Sequence, residues 1–155
     1  MTENQADHPV QADDPAASRE QTEPVRAPAS LADSKYLSLT TFRKTGVPVA
    51  TPVWFVADGA HLLLWTGAES GKVKRLRHTS RVTVAPCDAR GELGGDPVSA
   101  QARIMSDDEM PRVVAAMRRR YPVSFRGFHA VTTLSRALGL RRARAGQVGV
   151  EITLD

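Results

Sequence analysis

Residues 66–75 read TGAESGKVKR and combine two glycines, a serine hydroxyl and three cations within ten residues. A strand-like run precedes this segment and a helix-like pattern follows it, so free backbone N–H groups would meet the side chains of Ser70, Lys72 and Arg75. Lys72 and Arg75 are three residues apart, which places both on one side of a helix. This combination of donors is suited to binding a phosphate.

The segment is not a nucleotide-binding P-loop. Gly67 and Gly71 enclose three residues instead of four, and Val73 stands where a magnesium-binding Ser or Thr would be required. A solvated basic helix explains the same pattern. The residues alone therefore leave two interpretations open, a phosphate site and an ordinary surface helix.

A second candidate is the pair of tryptophans Trp54 and Trp65, which we place on neighbouring strands of the predicted sheet. Thr40, Thr51 and Thr66 add polar groups nearby. Aromatic rings beside polar groups form the wall of a planar ligand's pocket. Two tryptophans in a hydrophobic core are the alternative.

No constellation of catalytic residues is evident, because Ser, His and Asp occur without motif spacing. An enzyme of this kind takes its reactivity from a cofactor. Cys87 is the only cysteine, which excludes an internal disulfide and fits a reducing compartment. We expect it to be a small buried hydrophobe at a strand end. The four histidines are scattered, so no metal site is predicted.

Charge and composition divide the chain into residues 1–30 and 31–155. The first part has four prolines and no aromatic residue, which predicts a disordered tail. The tail carries six carboxylates against two arginines, a balance of −4, while the whole chain has a formal net charge of +4. The second part therefore carries about +8 and favours an anionic partner. With no signal peptide and no apolar membrane span, we expect a soluble cytoplasmic protein.

The arginine-rich stretch 112–144 raises the possibility of nucleic-acid binding. The chain has few aromatic residues to stack on bases and no helix-turn-helix or RNA-binding motif. We therefore expect neither a nucleic-acid partner nor a membrane.

Short runs rich in β-formers predict six strands, at Tyr36–Phe42, Val49–Val56, His61–Thr66, Arg81–Cys87, Pro97–Met105 and Gln147–Thr153. Turns at Gly46 and at Asp58-Gly59 would join the first three into an antiparallel meander. Pro52 is expected at an edge, a bulge or a gap that faces a cofactor. The prediction is a mainly β, α+β fold, a closed or half-closed barrel.

Helices are predicted between and after these strands. Lys72–His78 has helical character, and Ser106 with Glu109 forms a capping box that opens another helix. A further apolar series predicts a second helix in that region, at Phe128, Val131, Leu134 and Leu138.

The chain resembles the pyridoxamine 5'-phosphate oxidase-like flavin and deazaflavin oxidoreductases, and most of all their F420-dependent actinobacterial subgroup. The resemblance runs from about Leu31 to the C-terminus and is carried by the motifs YLSLTTF, GVPVATPVW, LWT, KVKRL, RVTVAPCDARG and ARI. It implies a split β-barrel of the FMN-binding type, with about six antiparallel strands and two to four helices, that forms a homodimer with cofactor sites at the subunit interface.

The resemblance also implies a set of cofactor-binding residues. Thr51, Pro52, Val53 and Trp54 would line the ring system, with backbone groups near its central nitrogen or carbon. Trp65 and Thr66 would close that side, and Ser70, Lys72 and Arg75 would take the phosphate. Lys74 is expected to point away.

The implied activity is hydride transfer from reduced coenzyme F420 to an electron-poor small molecule such as an enone, a conjugated alkene or a quinone. F420 is longer and more anionic than FMN, so the basic domain favours it. An FMN-dependent oxidase or reductase and a non-enzymatic binder of flavin, haem or another planar ligand are the alternatives.

Overall fold

A computed structural model describes residues 29–123 and 146–155. Its strands are Tyr36–Phe42 (β1), Pro48–Trp54 (β2), Val56–Asp58 (β3), His61–Gly67 (β4), Arg81–Cys87 (β5), Val98–Ile104 (β6) and Gln147–Leu154 (β7). The helices that lie wholly within this part are Ala29–Asp33 (α1), Gly71–Leu76 (α2) and Met110–Arg120 (α3), with a 3-10 turn at Asp107–Glu109 ahead of α3. The predicted mainly β, α+β split barrel is confirmed, with seven strands in place of about six.

All seven strands form one antiparallel sheet in the order β2-β1-β5-β6-β7-β4-β3. The two edge strands, β2 and β3, are separated in sequence by Phe55 alone, so the sheet must curl to bring its two edges to one corner. Phe55 is 1% exposed at that corner. The predicted strand Val49–Val56 is therefore two strands that belong to opposite edges of the sheet.

Two predicted hairpin turns are confirmed, and the meander is wrong. Gly46 joins β1 to β2 with a φ of 82°, and Gly59 joins β3 to β4 with a φ of 64°, a backbone region that glycine adopts without steric cost. β2 pairs with β1 and β4 pairs with β3 and β7, so β2 and β4 are not hydrogen-bonded neighbours. The apolar run through Trp54, Phe55 and Val56 conceals this break.

The barrel interior is filled by branched apolar side chains from the paired strands. These include Leu37, Leu39, Leu64, Val82, Val150 and Ile152, each fully buried. The other face of β4 and β7 is covered by α3. A Cβ added to Gly149 would lie 3.0 Å from Met105 Sδ and from Val113 Cγ2, so the bare backbone at this point allows the close approach of α3.

The capping box predicted at Ser106 is confirmed. The Ser106 backbone N–H donates to the Glu109 carboxylate at 3.0 Å, and α3 follows. Arg103 donates two further bonds to the same carboxylate, at 2.7 and 2.9 Å. The Arg103 bonds, followed by those from Ser106, lower the pKa of Glu109 to about 2.

A buried carboxylate joins this cap to the sheet. Glu151 of β7 is 8% exposed and accepts one bond from Arg103 and one from Arg112, both at 2.9 Å. Arg112 also donates to Asp58 at 2.8 Å. Glu109, Arg103, Glu151, Arg112 and Asp58 form a chain of alternating charge, which we call the Glu151 network. It fastens α3 and its cap to β3, β6 and β7.

Some predictions fall outside the described residues. The apolar series at Phe128, Val131, Leu134 and Leu138 lies there, as do residues 1–28 of the predicted tail; Ala29 and Ser30, the last two residues of that tail, belong to α1. No helix in residues 29–123 or 146–155 is long and apolar enough to cross a membrane.

Candidate functional site

The candidate phosphate site lies at the junction between β4 and α2. Val73 and Leu76 turn the inner face of α2 into the core, with exposures of 0% and 8%. Lys72 and Arg75 are both half-buried on the helix beside them. The predicted separation into an apolar and a cationic side is therefore present.

Both cations are held by threonine hydroxyls. Lys72 Nζ donates to Thr66 Oγ1 at 3.2 Å, and Arg75 Nε donates to Thr41 Oγ1 at 2.7 Å. Thr66 is on β4 and Thr41 on β1, which are distant in the sheet order, so α2 ties two separated parts of the sheet together. Within the described residues neither cation has a carboxylate within 4 Å. Their positive charge is therefore oriented and not neutralised.

This arrangement destabilises the charged form of Lys72. Burial lowers the pKa of its ammonium group, and the neighbouring charge of Arg75 lowers it further. An anion placed between the two cations would offset both effects, because it stabilises the charged form of lysine.

Ser70 and Gly71 complete the site. The Ser70 hydroxyl is buried and has no hydrogen-bond partner in the part of the chain that the structure describes, and it does not cap the helix that it precedes. A buried hydroxyl without a partner is uncommon and costs free energy. A Cβ at Gly71 would lie 2.9 Å from an Arg75 guanidinium nitrogen, so glycine leaves the room that Arg75 occupies. A hydroxyl lacking a partner beside two unneutralised cations fits a phosphate group.

Lys74 does not join this group. It is 60% exposed and lies 3.8 Å from the carboxylate of Glu69. Its position two residues from Lys72 directs it away, as predicted.

The four residues expected to line a ring lie together at the end of β2. Thr51 and Val53 pair with Leu39 and Leu37 of β1, whereas the side chains of Pro52 and Trp54 alternate to the opposite face. One face of the strand would therefore meet a flat ligand with its side chains, and the residues of the other face would meet it through their backbone groups. The prediction that Pro52 lies at an edge is confirmed, since β2 is an edge strand and Pro52 is exposed.

The tryptophans are also placed differently from the prediction. Trp54 and Trp65 are on β2 and β4, which are not adjacent strands. Trp65 packs against the core cluster. Trp54 stacks on Tyr121 at a centroid distance of 5.7 Å, a contact between residues too far apart in the sequence for any local pattern to predict it.

Cys87 is a buried free thiol, as expected for a small hydrophobe, and burial followed by the charge of Asp88 raises its pKa. Among residues 29–123 and 146–155, no three His, Cys, Asp or Glu side chains form a group that could hold a metal ion.

Comparison with known proteins adds a family and a fold. Residues 26–144 match the family model described as pyridoxamine 5'-phosphate oxidase. No curated protein sequence matches this chain.

Three solved structures illustrate the structural likeness. A haem storage protein from Vibrio cholerae is 16% identical, with a TM-score of 0.55 and coverage of 81% of this chain and 84% of that chain. An FAD-binding protein from Mesorhizobium loti is 17% identical, with a TM-score of 0.51 and coverage of 81% and 85%. An F420 reductase is 16% identical, with a TM-score of 0.50 and coverage of 81% and 91%. At these identities the likeness establishes a shared fold.

Proposed function

Since this chain belongs to the pyridoxamine 5'-phosphate oxidase family, we propose that it is an oxidoreductase that binds a phosphate-bearing flavin-type cofactor at α2. The observation that carries this proposal is the group formed by Ser70, Lys72 and Arg75. Among the described residues, its two half-buried cations have hydroxyl partners only, and its buried hydroxyl has no partner. These are the donors that a phosphate ester requires.

The cofactor proposed is coenzyme F420, in its reduced form the hydride donor to an enone, a conjugated alkene or a quinone. The net charge of the domain and the structural likeness to an F420 reductase support this choice. Arg103 and Arg112 do not contribute to the charge argument, because carboxylates of the Glu151 network neutralise them. FMN, with its compact phosphate, is the second candidate.

The chain's own residues would bind and orient the cofactor. Lys72 and Arg75 would hold the phosphate while remaining bonded to Thr66 and Thr41, and Ser70 would donate its free hydroxyl. Residues 51–54 of β2, together with Trp65 and Thr66 of β4, would bound the ring system with side chains on one face of each strand and with backbone groups. The reactivity itself comes from the cofactor, which supplies the hydride, so no side-chain nucleophile is required.

Titration of the purified chain with F420 and with FMN tests the proposal. The cofactor that is used should bind at micromolar concentration or tighter, and the other far more weakly. Tight FMN binding with weak F420 binding would favour the second candidate. Weak binding of both would refute the phosphate site.

Turnover is tested separately from binding. Reduced F420 should be oxidised when the protein is mixed with a panel of enones and quinones. Tight binding without oxidation in any of them would identify a non-enzymatic binder. The structural likeness to a haem storage protein supports this alternative.

We also propose that the protein is a homodimer with cofactor sites at the subunit interface. The family resemblance that implies a split-barrel homodimer is the basis of this proposal. Light scattering coupled to size exclusion should give twice the monomer mass of 16.8 kDa. A monomer at micromolar concentration would contradict this arrangement.

A further inference from the structure

We propose that the cleft at the end of α3 is a second anion site, which binds an organic anion with an apolar body. The cleft has a volume of about 320 Å³ and is lined by Lys35, Arg120, Tyr121, Pro122 and Val123. None of these five residues belongs to the phosphate site at α2.

The two cations of this cleft have no counterion among the described residues. Lys35 Nζ lies 5.7 Å from the centroid of Tyr36, and the Arg120 guanidinium lies 5.7 Å from the centroid of Tyr121. Contacts with aromatic rings leave the formal charge in place. Within residues 29–123 and 146–155, no carboxylate lies within 4 Å of either group.

The floor of the cleft is fixed before any ligand arrives. The Tyr121 hydroxyl shares its one proton between two backbone carbonyls, that of Phe55 at 2.8 Å and that of Lys35 at 3.1 Å. One face of its ring stacks on Trp54. Tyr121 therefore holds the backbone of Lys35 beside the end of α3, where Arg120 is located. Such preorganisation reduces the entropy that a ligand must otherwise lose on binding.

The wall of the cleft determines what kind of anion it accepts. Val123 is 83% exposed, and Pro122 beside it is also exposed. An inorganic ion would leave this apolar surface in water, whereas an amphipathic organic anion would cover it and gain free energy from its burial. The ligand class is therefore a carboxylate or sulfonate on an apolar body.

The cleft is separate from the phosphate site. Tyr36, next to Lys35, opens β1, and Thr41, the partner of Arg75, lies five residues further along that strand. At about 3.4 Å per residue this separation is about 17 Å. The two cationic groups therefore lie near opposite ends of one strand.

Two dyes that differ chiefly in charge test this inference on the full chain. 1-Anilinonaphthalene-8-sulfonate is an amphipathic anion, and N-phenyl-1-naphthylamine is its neutral counterpart. Replacing both cations, Lys35→Ala with Arg120→Ala, should weaken sulfonate binding at least tenfold and neutral-dye binding less than twofold in fluorescence titrations. Unchanged sulfonate affinity, or an equal loss for both dyes, would overturn the proposal.

Control variants separate this site from other causes. Lys35→Gln with Arg120→Gln removes both charges but keeps most of each side-chain stem, so it replaces the alanine pair if that pair fails to fold. It should show the same loss of sulfonate affinity. Arg43→Ala with Lys44→Ala removes two exposed charges from the β1–β2 turn and should leave sulfonate affinity unchanged. Sulfonate affinity that falls in Lys72→Ala with Arg75→Ala and not at Lys35 and Arg120 would assign the dye to the phosphate site and refute the second site.

Competition with F420 tests whether the cleft is separate from the cofactor site. F420 at a concentration that saturates the phosphate site should leave the affinity for the sulfonate dye unchanged. Displacement of the dye by F420 would assign the dye to the cofactor site and overturn the proposal.

Discussion

The Glu151 network and the phosphate site at α2 hold their cations with different kinds of acceptor. In the Glu151 network, Arg103 and Arg112 are bound by carboxylates, which neutralise their charge and fasten α3 to the sheet. At α2, Lys72 and Arg75 are held by neutral hydroxyls, so their charge remains available. Counting cations along a sequence does not distinguish these cases, whereas the acceptor on each cation does.

The largest expected effect comes from removing Lys72 and Arg75, the cations whose charge is not neutralised. Lys72→Ala with Arg75→Ala should weaken cofactor binding by about 3 kcal/mol, roughly a hundredfold or more, since two charge-assisted phosphate contacts are lost. The free energy of unfolding should change far less. Titration of the variant with F420 and FMN measures the first quantity, and urea denaturation the second.

Lys74→Ala is the matched control for that variant. It removes an exposed cation from the same helix and should alter affinity less than twofold. An unchanged affinity in the double variant, with its fold intact, would remove the basis of the proposed function.

The neutralised group should show the reverse behaviour. Glu151→Gln should cost about 2 kcal/mol of unfolding free energy, because both arginines lose a charged acceptor in a buried position, while cofactor affinity stays within a factor of two. Urea denaturation compares it with Glu69→Gln, whose exposed ion pair should contribute almost nothing. Equal free energies of unfolding for the two variants would mean that the Glu151 network does not stabilise the fold.

The pH dependence of cofactor binding sharpens the comparison further. The pKa of Lys72 is lowered in the free protein, and a bound phosphate would raise it again. Affinity should therefore fall as the pH rises past the lowered pKa, by at most about 1.4 kcal/mol per pH unit. Lys72→Arg, which keeps its charge at these pH values, should flatten the curve.

The same lowered pKa makes the stability of the free protein change with pH in the direction opposite to that of the cofactor affinity. Between the pKa of folded Lys72 and its unfolded value, the unfolded chain binds more protons, so the free protein gains stability as the pH rises. A flat profile for both affinity and stability would show that Lys72 remains charged and takes no part in linkage.

The smallest expected effect concerns Ser70. Ser70→Ala removes a buried hydroxyl that has no partner, so it should stabilise the free protein by about 1 kcal/mol. The same change should weaken cofactor binding several-fold. Thermal unfolding with and without cofactor measures both quantities, and a loss of stability in the free protein would indicate that the hydroxyl already has a partner.

The sequence predicted what depends on local spacing. Val73 and Leu76 are buried and Lys72 and Arg75 share the cationic side because a helix imposes that arrangement within four residues. The capping box at Ser106 is equally local. The strands could be located because the alternation of apolar and polar residues and the glycines at turns are local features of the sequence.

Features that depend on distant residues were missed. The corner at Phe55 lies within an apolar run whose alternation does not reveal a change of sheet edge. Glu151 reads as an ordinary strand residue, since its partners Arg112 and Arg103 are 39 and 48 residues away. Trp54 and Trp65 were placed on neighbouring strands because nothing local shows that β2 and β4 belong to separate parts of the sheet.

The helix α2 joins β1 to β4 through two like charges, and that has a consequence at the bench. Any polyvalent anion that binds between them should stabilise the folded state by an amount that grows with the logarithm of its concentration once this exceeds its dissociation constant. Sulfate or phosphate in a storage buffer would then raise the melting temperature, whereas chloride at equal ionic strength would not. The choice of buffer anion would thus become one of the determinants of how long a stored sample stays folded.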